Sequence, residues 1–521
     1  MSHQSIRTFL KDRLPLIIMF AAACVLECAV IFPIMTADYI NYDSSYQYAL
    51  TQHSIPEIME LLPYDYSPPF YAIALKLFTM AFGNTLTVMR VFTLIAVIGM
   101  FFIAAFPMKT LFGSWSAGMC LVVTFCSTVI LDLLHEIRPT IFAMFFFMAA
   151  TVYSALAYSQ EKRYAYVCMT VFSVLCMYTH NISLVGMFSI YVVLLAVCLI
   201  RKEFRKFRAF LISGVVSAVL YIPWLTVLLS QISNVNDHFW TAVFGWNDAL
   251  RWIVSDMFMS KTSFCVTIIG ASIAVSLIAA AVRHVDFKKV RGAKSLKEIF
   301  VLPEEKSYYL DLLIIFLFIT VTFLLLEAVN LLVRNLTSER YYGILGMAFI
   351  VLFSGIVGKL GNRICNIVLA VMLLINNGAN TKTIYDDLQT ANQFNLVDAI
   401  NEIKGDGEIS FLHTHEWSVG LMAYYFPDAT HYVCDDTFTV LRTFDVFPVN
   451  IVNIGDYHDI WDYTDEFFCF TNGYETSVSD LTPNEQIVSD ISEGHTEFDL
   501  GTFRIAYNVA CKSFELAKIT E

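Results

Sequence analysis

Charge is scarce in this sequence. Asp, Glu, Lys and Arg together make up 15% of its 521 residues, against roughly 25% in an average soluble globular chain. The shortage is concentrated in runs of about 20 apolar residues, which excludes a wholly soluble globule. Basic clusters are also missing where a polyanion surface would need them. Residues 378–521 hold 25 acidic and 6 basic residues, which argues against nucleic acid as a partner. There is no cysteine framework: of the 12 Cys, nine lie in or beside apolar runs. Cys434, Cys469 and Cys511 remain in the tail, where one disulfide has three alternative pairings. No Cys and His spacing matches a metal site. The first apolar run lacks a small-residue cleavage site and contains Glu27, so it reads as a retained helix. Neither an internal repeat nor a pore-loop motif is apparent, which disfavours a repeat-built transporter and a channel.

What the sequence does contain is apolar: 57% hydrophobic residues, with 44 Phe and 19 Met. Apolar runs fall near 14–37, 85–107, 114–131, 139–158, 164–179, 183–200, 208–229, 261–282, 309–333, 341–358 and 363–377. Basic residues precede the first run (Arg7, Lys11, Arg13) and follow the second (Lys109), fourth (Lys162, Arg163), sixth (Arg201, Lys202, Arg205, Lys206, Arg208), eighth (Arg283, Lys288, Lys289) and tenth (Lys359, Arg363). All fall on one side when each run spans once. The positive-inside rule then makes the N-terminus cytoplasmic and the C-terminus extracytoplasmic. The same parity makes 68–82 a juxtamembrane helix on the outer surface, opened by Pro68 and Pro69, rather than a span. The expected fold class is a polytopic α-helical membrane protein with about eleven spans and a C-terminal soluble α/β domain. Residues 1–378 form the membrane domain, with 38–84 as its first outer loop, and 379–521 form the soluble domain. In the latter, 392–404 and EWSVGLMAYYF read as helices, while EISFLH, ATHYVC, FTVLR and FRIAYNV read as strands. His413-Thr414-His415-Glu416 lacks the zinc-helix spacing and a third ligand.

This topology gathers polar residues from distant segments on the outer face. Loop 38–84 carries Asp38, Asp43 and Asp65 among many aromatics. A carboxylate beside a membrane can have a shifted pKa and can accept a proton from a bound hydroxyl. The turn DLLHEIRPT offers Asp132, His135, Glu136 and Arg138. The turn MYTHNIS offers Tyr178 and His180, and loop 230–259 adds Asp248 and Arg251. RNLTSERYYGIL brings Glu339, Arg340, Tyr341 and Tyr342. Arginines are unexpected in a short external turn, and a phosphate ligand would explain them. Asn335-Leu336-Thr337 is a weak glycosylation triplet.

At these residues the chain resembles the multispanning glycosyltransferases of the GT-C class, in particular the bacterial branch of protein O-mannosyltransferases and lipid A aminoarabinose transferases. Tyr42-Asp43-Ser44-Ser45-Tyr46 is similar to the family's Asp-Glu motif with a following aromatic, with Ser44 where Glu is usual. Asp65-Tyr66-Ser67-Pro68-Pro69-Phe70-Tyr71 is similar to its Asp and His-Pro-Pro stretch, with Ser67 where His is usual. His135-Glu136-Ile137-Arg138 resembles its Gln-Glu-Ala-Arg stretch, Tyr178-Thr179-His180 its Tyr-Thr-His turn, and Arg340-Tyr341 its late Arg-Tyr element.

The resemblance implies an inverting transferase that takes a sugar from a polyprenyl-phosphate donor to an extracytoplasmic glycan, lipid or protein. In this reading Asp43 is the base toward the acceptor, and Asp65 orients the acceptor or Asp43. Arg138 and Arg340, with Tyr341, hold the donor phosphate, where cations stabilise the charge of the leaving group. Glu136 orients Arg138, while His135, His180, Tyr46 and Glu339 line or orient the pocket. A divalent metal is left open, because Ser44 cannot supply a second charged ligand. A non-catalytic lipid-binding scaffold or transporter is the rival reading.

Overall fold

A computed structural model describes residues 3–37, 40–65, 67–238, 245–258, 263–283, 307–332, 339–392, 396–404, 408–413, 416–434, 442–471, 490–507 and 510–521. Among these, eight helices are long and apolar enough to cross a bilayer: Arg13–Thr36, Leu86–Phe112, Thr140–Gln160, Ser183–Ile200, Phe204–Ile232, Tyr308–Leu331, Gly343–Leu360 and Arg363–Asp386. The protein is therefore a polytopic helical membrane protein. Each of the eleven apolar runs coincides with helix, yet three differ from a simple span. Run 114–131 is two helices, Ser114–Phe125 and Thr128–Leu134, bent by 50°. No Pro or Gly stands at the break. The Thr124 hydroxyl donates to Cys120 O at 2.7 Å in the last turn before the break. Run 164–179 gives Arg163–Met177, only 15 residues, or about 22 Å of helix against a hydrocarbon core of about 30 Å. Run 261–282 gives a similarly short apolar stretch, Thr267–Val282. By length and composition the count is eight, or nine with the bent pair.

The chain divides into two compact units. The first comprises Met1–Ile31, Thr93–Leu133 and Pro139–Asn380. At its centre Thr140–Gln160 is almost wholly buried. At the other extreme, Phe204–His238 exposes Ile212, Val215, Val219 and Ile222, a stripe suited to acyl chains. Small residues permit the closest helix contact. A Cβ at Gly358 would lie 2.4 Å from the Ser116 Cα, so the helix Gly343–Leu360 meets Ser114–Phe125 backbone to backbone.

The second unit joins Phe32–Phe92, Leu134–Arg138 and Thr381–Glu521. The segment Phe32–Phe92 is thus one body with the C-terminal region. That region holds a six-stranded mixed sheet: β1 Ser410–His413, β2 Thr430–Val433, β3 Asn450–Asn453, β4 Glu466–Thr471, β5 Thr496–Tyr507 and β6 Ala510–Thr520. The strand order is β3-β2-β1-β4-β6-β5. β3, β2, β1 and β4 run parallel, and β6 is antiparallel to both β4 and β5. The helix Glu416–Tyr425 connects β1 to its parallel neighbour β2, as a crossover requires. Strand alternation puts Leu412, Tyr432, Phe467, Cys469 and Ile519 into one core and Phe411, His413, His431 and Phe468 on the other face. The strands read from EISFLH and ATHYVC and the helices at 396–403 and 416–425 are present. FTVLR lies almost wholly outside the described residues. FRIAYNV begins inside β5, and its last two residues are undescribed. The Cys511 side chain is not described either.

Candidate active site

Loop 38–84 is built from short helices with explicit start signals. Asn41 caps the helix Tyr42–Leu50, its side chain accepting from Ser44 N at 2.9 Å. Ser54 and Glu57 form a reciprocal capping box at Ile55–Leu61, which satisfies two orphan donors. Pro69 is the first residue of the helix Pro69–Phe82, where its missing N–H costs nothing. Two long-range cations fix the loop's frame. Arg90, fully buried, donates to the carbonyls of Ile34, Met35 and Ala37 at 3.1, 3.2 and 2.7 Å. These carbonyls end the first long helix, where a cation is favoured. Lys76 donates to Thr51 O at 2.7 Å, tying the proline-started helix to the end of Tyr42–Leu50.

On this frame three of the expected residues come together. Asp43 sits in the first turn of Tyr42–Leu50 and forms a salt bridge with Arg138. Glu136 lies beneath, its Oε2 3.7 Å from Arg138 Nε. The glutamate is 3% exposed, whereas Asp43 and Arg138 are 28% and 19% exposed, so the pair is partly open to solvent and Glu136 is buried. Ser44 locks the two segments together: its hydroxyl accepts from Ile137 N at 3.1 Å. The Ser44 side chain is therefore engaged in holding the Arg138 segment. His135 is buried in the same stretch.

Asp65 closes the turn after Ile55–Leu61, its N–H donating to Leu62 O at 3.2 Å. Its Oδ2 is buried without a hydrogen-bond partner. Burial pushes the Asp65 carboxyl up to about 7, against a hydrogen bond from Ser67 that pulls it down. Tyr46 feels the Asp65 charge. Burial first, and then that carboxylate, raise the Tyr46 phenol well above its ordinary value. A carboxyl that titrates near neutrality can both donate and accept a proton at working pH.

The C-terminal region contributes to the same surface, which sequence reading missed. The Tyr46 ring meets Phe447 edge-on at 6.1 Å, and Tyr48 meets Tyr424 at 4.9 Å. Val446 O lies 2.8 Å from His53 Nε2. Gly420 is required by this contact, because a Cβ there would sit 2.4 Å from Ser45 Oγ. A Gly in the middle of a helix was the available signal, since it costs stability unless a close approach demands it.

In the first unit, His180 and Tyr341 come together edge to face at 5.0 Å. His180 Nδ1 accepts from Ile182 N at 3.3 Å. Asn181 bonds Gln231 at 3.1 Å. The Tyr342 hydroxyl donates to Glu327 Oε1 at 2.6 Å. Glu327 was passed over within its apolar run, although a carboxylate in a span normally has a named partner. The side chains of Glu339 and Arg340 lie outside the described residues, as do Asp38 and the triplet Asn335-Leu336-Thr337. Among the described residues no three His, Cys, Asp or Glu side chains gather as metal ligands.

Apolar helices in this number are joined here to a sheet-bearing C-terminal region, and that arrangement is a known fold. Two solved structures share it across nearly the whole chain: ArnT from Cupriavidus metallidurans bound to undecaprenyl phosphate, and the same protein in the apo state. The TM-scores are 0.59 and 0.57; both matches have 10% identity and cover 96% of this chain and 97% of the other. At that identity the likeness establishes the fold. No protein-family model and no curated protein matches the sequence.

Proposed function

We propose that this protein is an inverting glycosyltransferase that moves a sugar from a polyprenyl phosphate to an extracytoplasmic acceptor, a glycan, lipid or protein. The observation that carries this reading is the cluster Asp43, Arg138 and Glu136, assembled from two segments 93 residues apart by the Ser44–Ile137 bond. A fold shared with ArnT, which has been solved with undecaprenyl phosphate, supports a lipid-phosphate donor.

The residues suggest the following sequence of roles. Arg138 exchanges Asp43 for the donor phosphate, its fork suiting two phosphate oxygens. Asp43, relieved of its cation, becomes a stronger base and takes the proton of the acceptor hydroxyl as that oxygen attacks the anomeric carbon. The bond from that carbon to the phosphate oxygen breaks, and the charge left on the phosphate stays with Arg138. Glu136 holds Arg138 in place throughout, and His135 lines the pocket. Asp65 and Tyr46, beside Phe447, orient the acceptor. Glu339 orients Arg340. In this reading the short helices Arg163–Met177 and Thr267–Val282 and the bent pair also cross, so that about eleven crossings put the N-terminus cytoplasmic, residues 379–521 outside and loop 38–84 on the acceptor side.

Purified protein given a labelled polyprenyl-phosphate sugar and an envelope extract as acceptor tests this. Native protein should form labelled product, and Asp43→Asn should lose at least about a hundredfold in turnover. Equal turnover by both removes the base. Lipid movement without any covalent change in either would favour the transporter.

A further inference from the structure

A second polar site lies in the first unit, beside the first long helix. Arg13 lies within that helix, His3–Thr36, and opens its apolar span Arg13–Thr36. Around Arg13 is a cavity of about 260 Å³ lined by Lys109, Thr110, Tyr153 and Tyr164 together with Leu16, Phe102, Phe106 and Leu156. All of these residues belong to the first compact unit. Two are cations, and among the described lining residues none is acidic. One rim is exposed at Arg13, Thr110 and Tyr164. The inner wall is apolar and fixed, with Phe106 at 5.6 Å from Phe20 and 5.1 Å from Phe102. Tyr153 meets Tyr164 edge-on at 6.5 Å, and Lys162 stands over the Tyr164 ring.

We propose that this cavity binds the phosphate headgroup of an anionic phospholipid at the membrane surface where Arg13 opens its span. Its position selects the occupant. The cavity lies where the spans Arg13–Thr36 and Leu86–Phe112 begin and end, which is headgroup depth. Arg13 offers a planar fork and Lys109 a point charge to the phosphodiester. Tyrosines at this depth are amphipathic and place their hydroxyls toward the headgroup. The Phe and Leu wall continues inward for the acyl chain. A soluble phosphate would use the two cations but gain nothing from that wall. The site is independent of the proposed transfer chemistry, and no residue in it belongs to the Asp43 cluster.

The full-length protein in neutral detergent is titrated with phosphatidylglycerol, with phosphatidylcholine of identical chains, and with inorganic phosphate. Retained lipid is counted by native mass spectrometry. Phosphatidylglycerol should be retained over phosphatidylcholine, and inorganic phosphate should not displace it. The double variant R13Q/K109Q should weaken phosphatidylglycerol binding by roughly thirtyfold, from about 1 kcal/mol per basic residue. A control with the same charge change elsewhere, R201Q/K202Q, should bind as the native protein does. The charge-keeping swap R13K/K109R, which preserves the fold if the Gln pair does not, should retain phosphatidylglycerol over phosphatidylcholine. Equal retention of the two lipids by native protein overturns the proposal. So does unchanged phosphatidylglycerol binding in a folded R13Q/K109Q, or an equal loss in R201Q/K202Q. Efficient displacement by inorganic phosphate shows an anion site without a lipid component and also overturns it.

Discussion

Replacing Ser44 with Ala removes one oxygen and, on the geometry described, should disturb the whole candidate site. The Ser44 hydroxyl accepts from Ile137 N at 3.1 Å, and both residues are buried, at 3% and 0% exposure. Water cannot replace the lost acceptor there, so the orphaned N–H costs about 1–3 kcal/mol. The helix itself keeps its cap, because the Asn41 bond uses the Ser44 N–H and not its side chain. The loss therefore falls on the register between Tyr42–Leu50 and the Arg138 segment. A shift of about 1 Å in a positioning group can cost a hundredfold in rate, so turnover should fall by roughly ten- to a hundredfold with the fold intact. Ser45→Ala is the matched control: its hydroxyl donates to Tyr42 O at 2.7 Å within the same helix. Losing it should change stability by less than about 1 kcal/mol. Thermal midpoints in detergent and turnover of a lipid-linked sugar would be measured for both variants. If Ser44→Ala matches Ser45→Ala in both, the Ser44–Ile137 bond does not organise the site and the reasoning fails.

Three further outcomes are expected. Asp65, held at about 7 by burial, should give native turnover a rise with pH centred near that value, and Asp65→Asn should abolish the inflection. The sign for stability is the reverse. A raised carboxyl favours the neutral form, so its contribution is present below the ordinary value of 3.8 and is lost as pH rises through about 7; Asp65→Asn should resist denaturant better than native protein above pH 7. In the C-terminal sheet, His413 Nε2 and His431 Nδ1 are 3.0 Å apart, and burial lowers both, His431 to about 4. Stability from these neutral rings is full above 6.5 and is lost as pH falls through about 4. That is worth about 3 kcal/mol for His431 alone, and limited proteolysis should cut the C-terminal region first in acid. Tyr342→Phe removes a 2.6 Å bond to Glu327 and should cost roughly 1.5–3 kcal/mol in thermal stability; an unchanged midpoint would show that Glu327 finds another partner.

Much of this architecture is legible in the chain because hydropathy and helix signals are local. Every apolar run became a helix, and the Pro68-Pro69 pair starts one, since proline suits a first turn. The strands at 410–413 and 430–433 follow from their short apolar runs. What stays hidden is set by contacts between distant residues. Run 114–131 gives no sign of its bend, because no Pro or Gly stands at Cys126-Ser127, where the helix breaks. Arg90 looks like a stray charge in an apolar run, and its purpose depends on three carbonyls more than 50 residues away. The order-based resemblance picked out Asp43, Glu136 and Arg138. It could not tell that Asp43 and Arg138 touch, since the two were expected to serve opposite sides of a ligand. Nor could it bring Phe447 and Gly420 to the loop, because that association is written in no single segment.

The most direct test of the account is a structure of the protein with a polyprenyl-phosphate sugar bound. The account predicts the phosphate on Arg138, with the Asp43–Arg138 bridge opened, and the anomeric carbon turned toward the Asp43 carboxylate. A donor whose phosphate lies away from Arg138 while the Asp43–Arg138 bridge stays closed would contradict it.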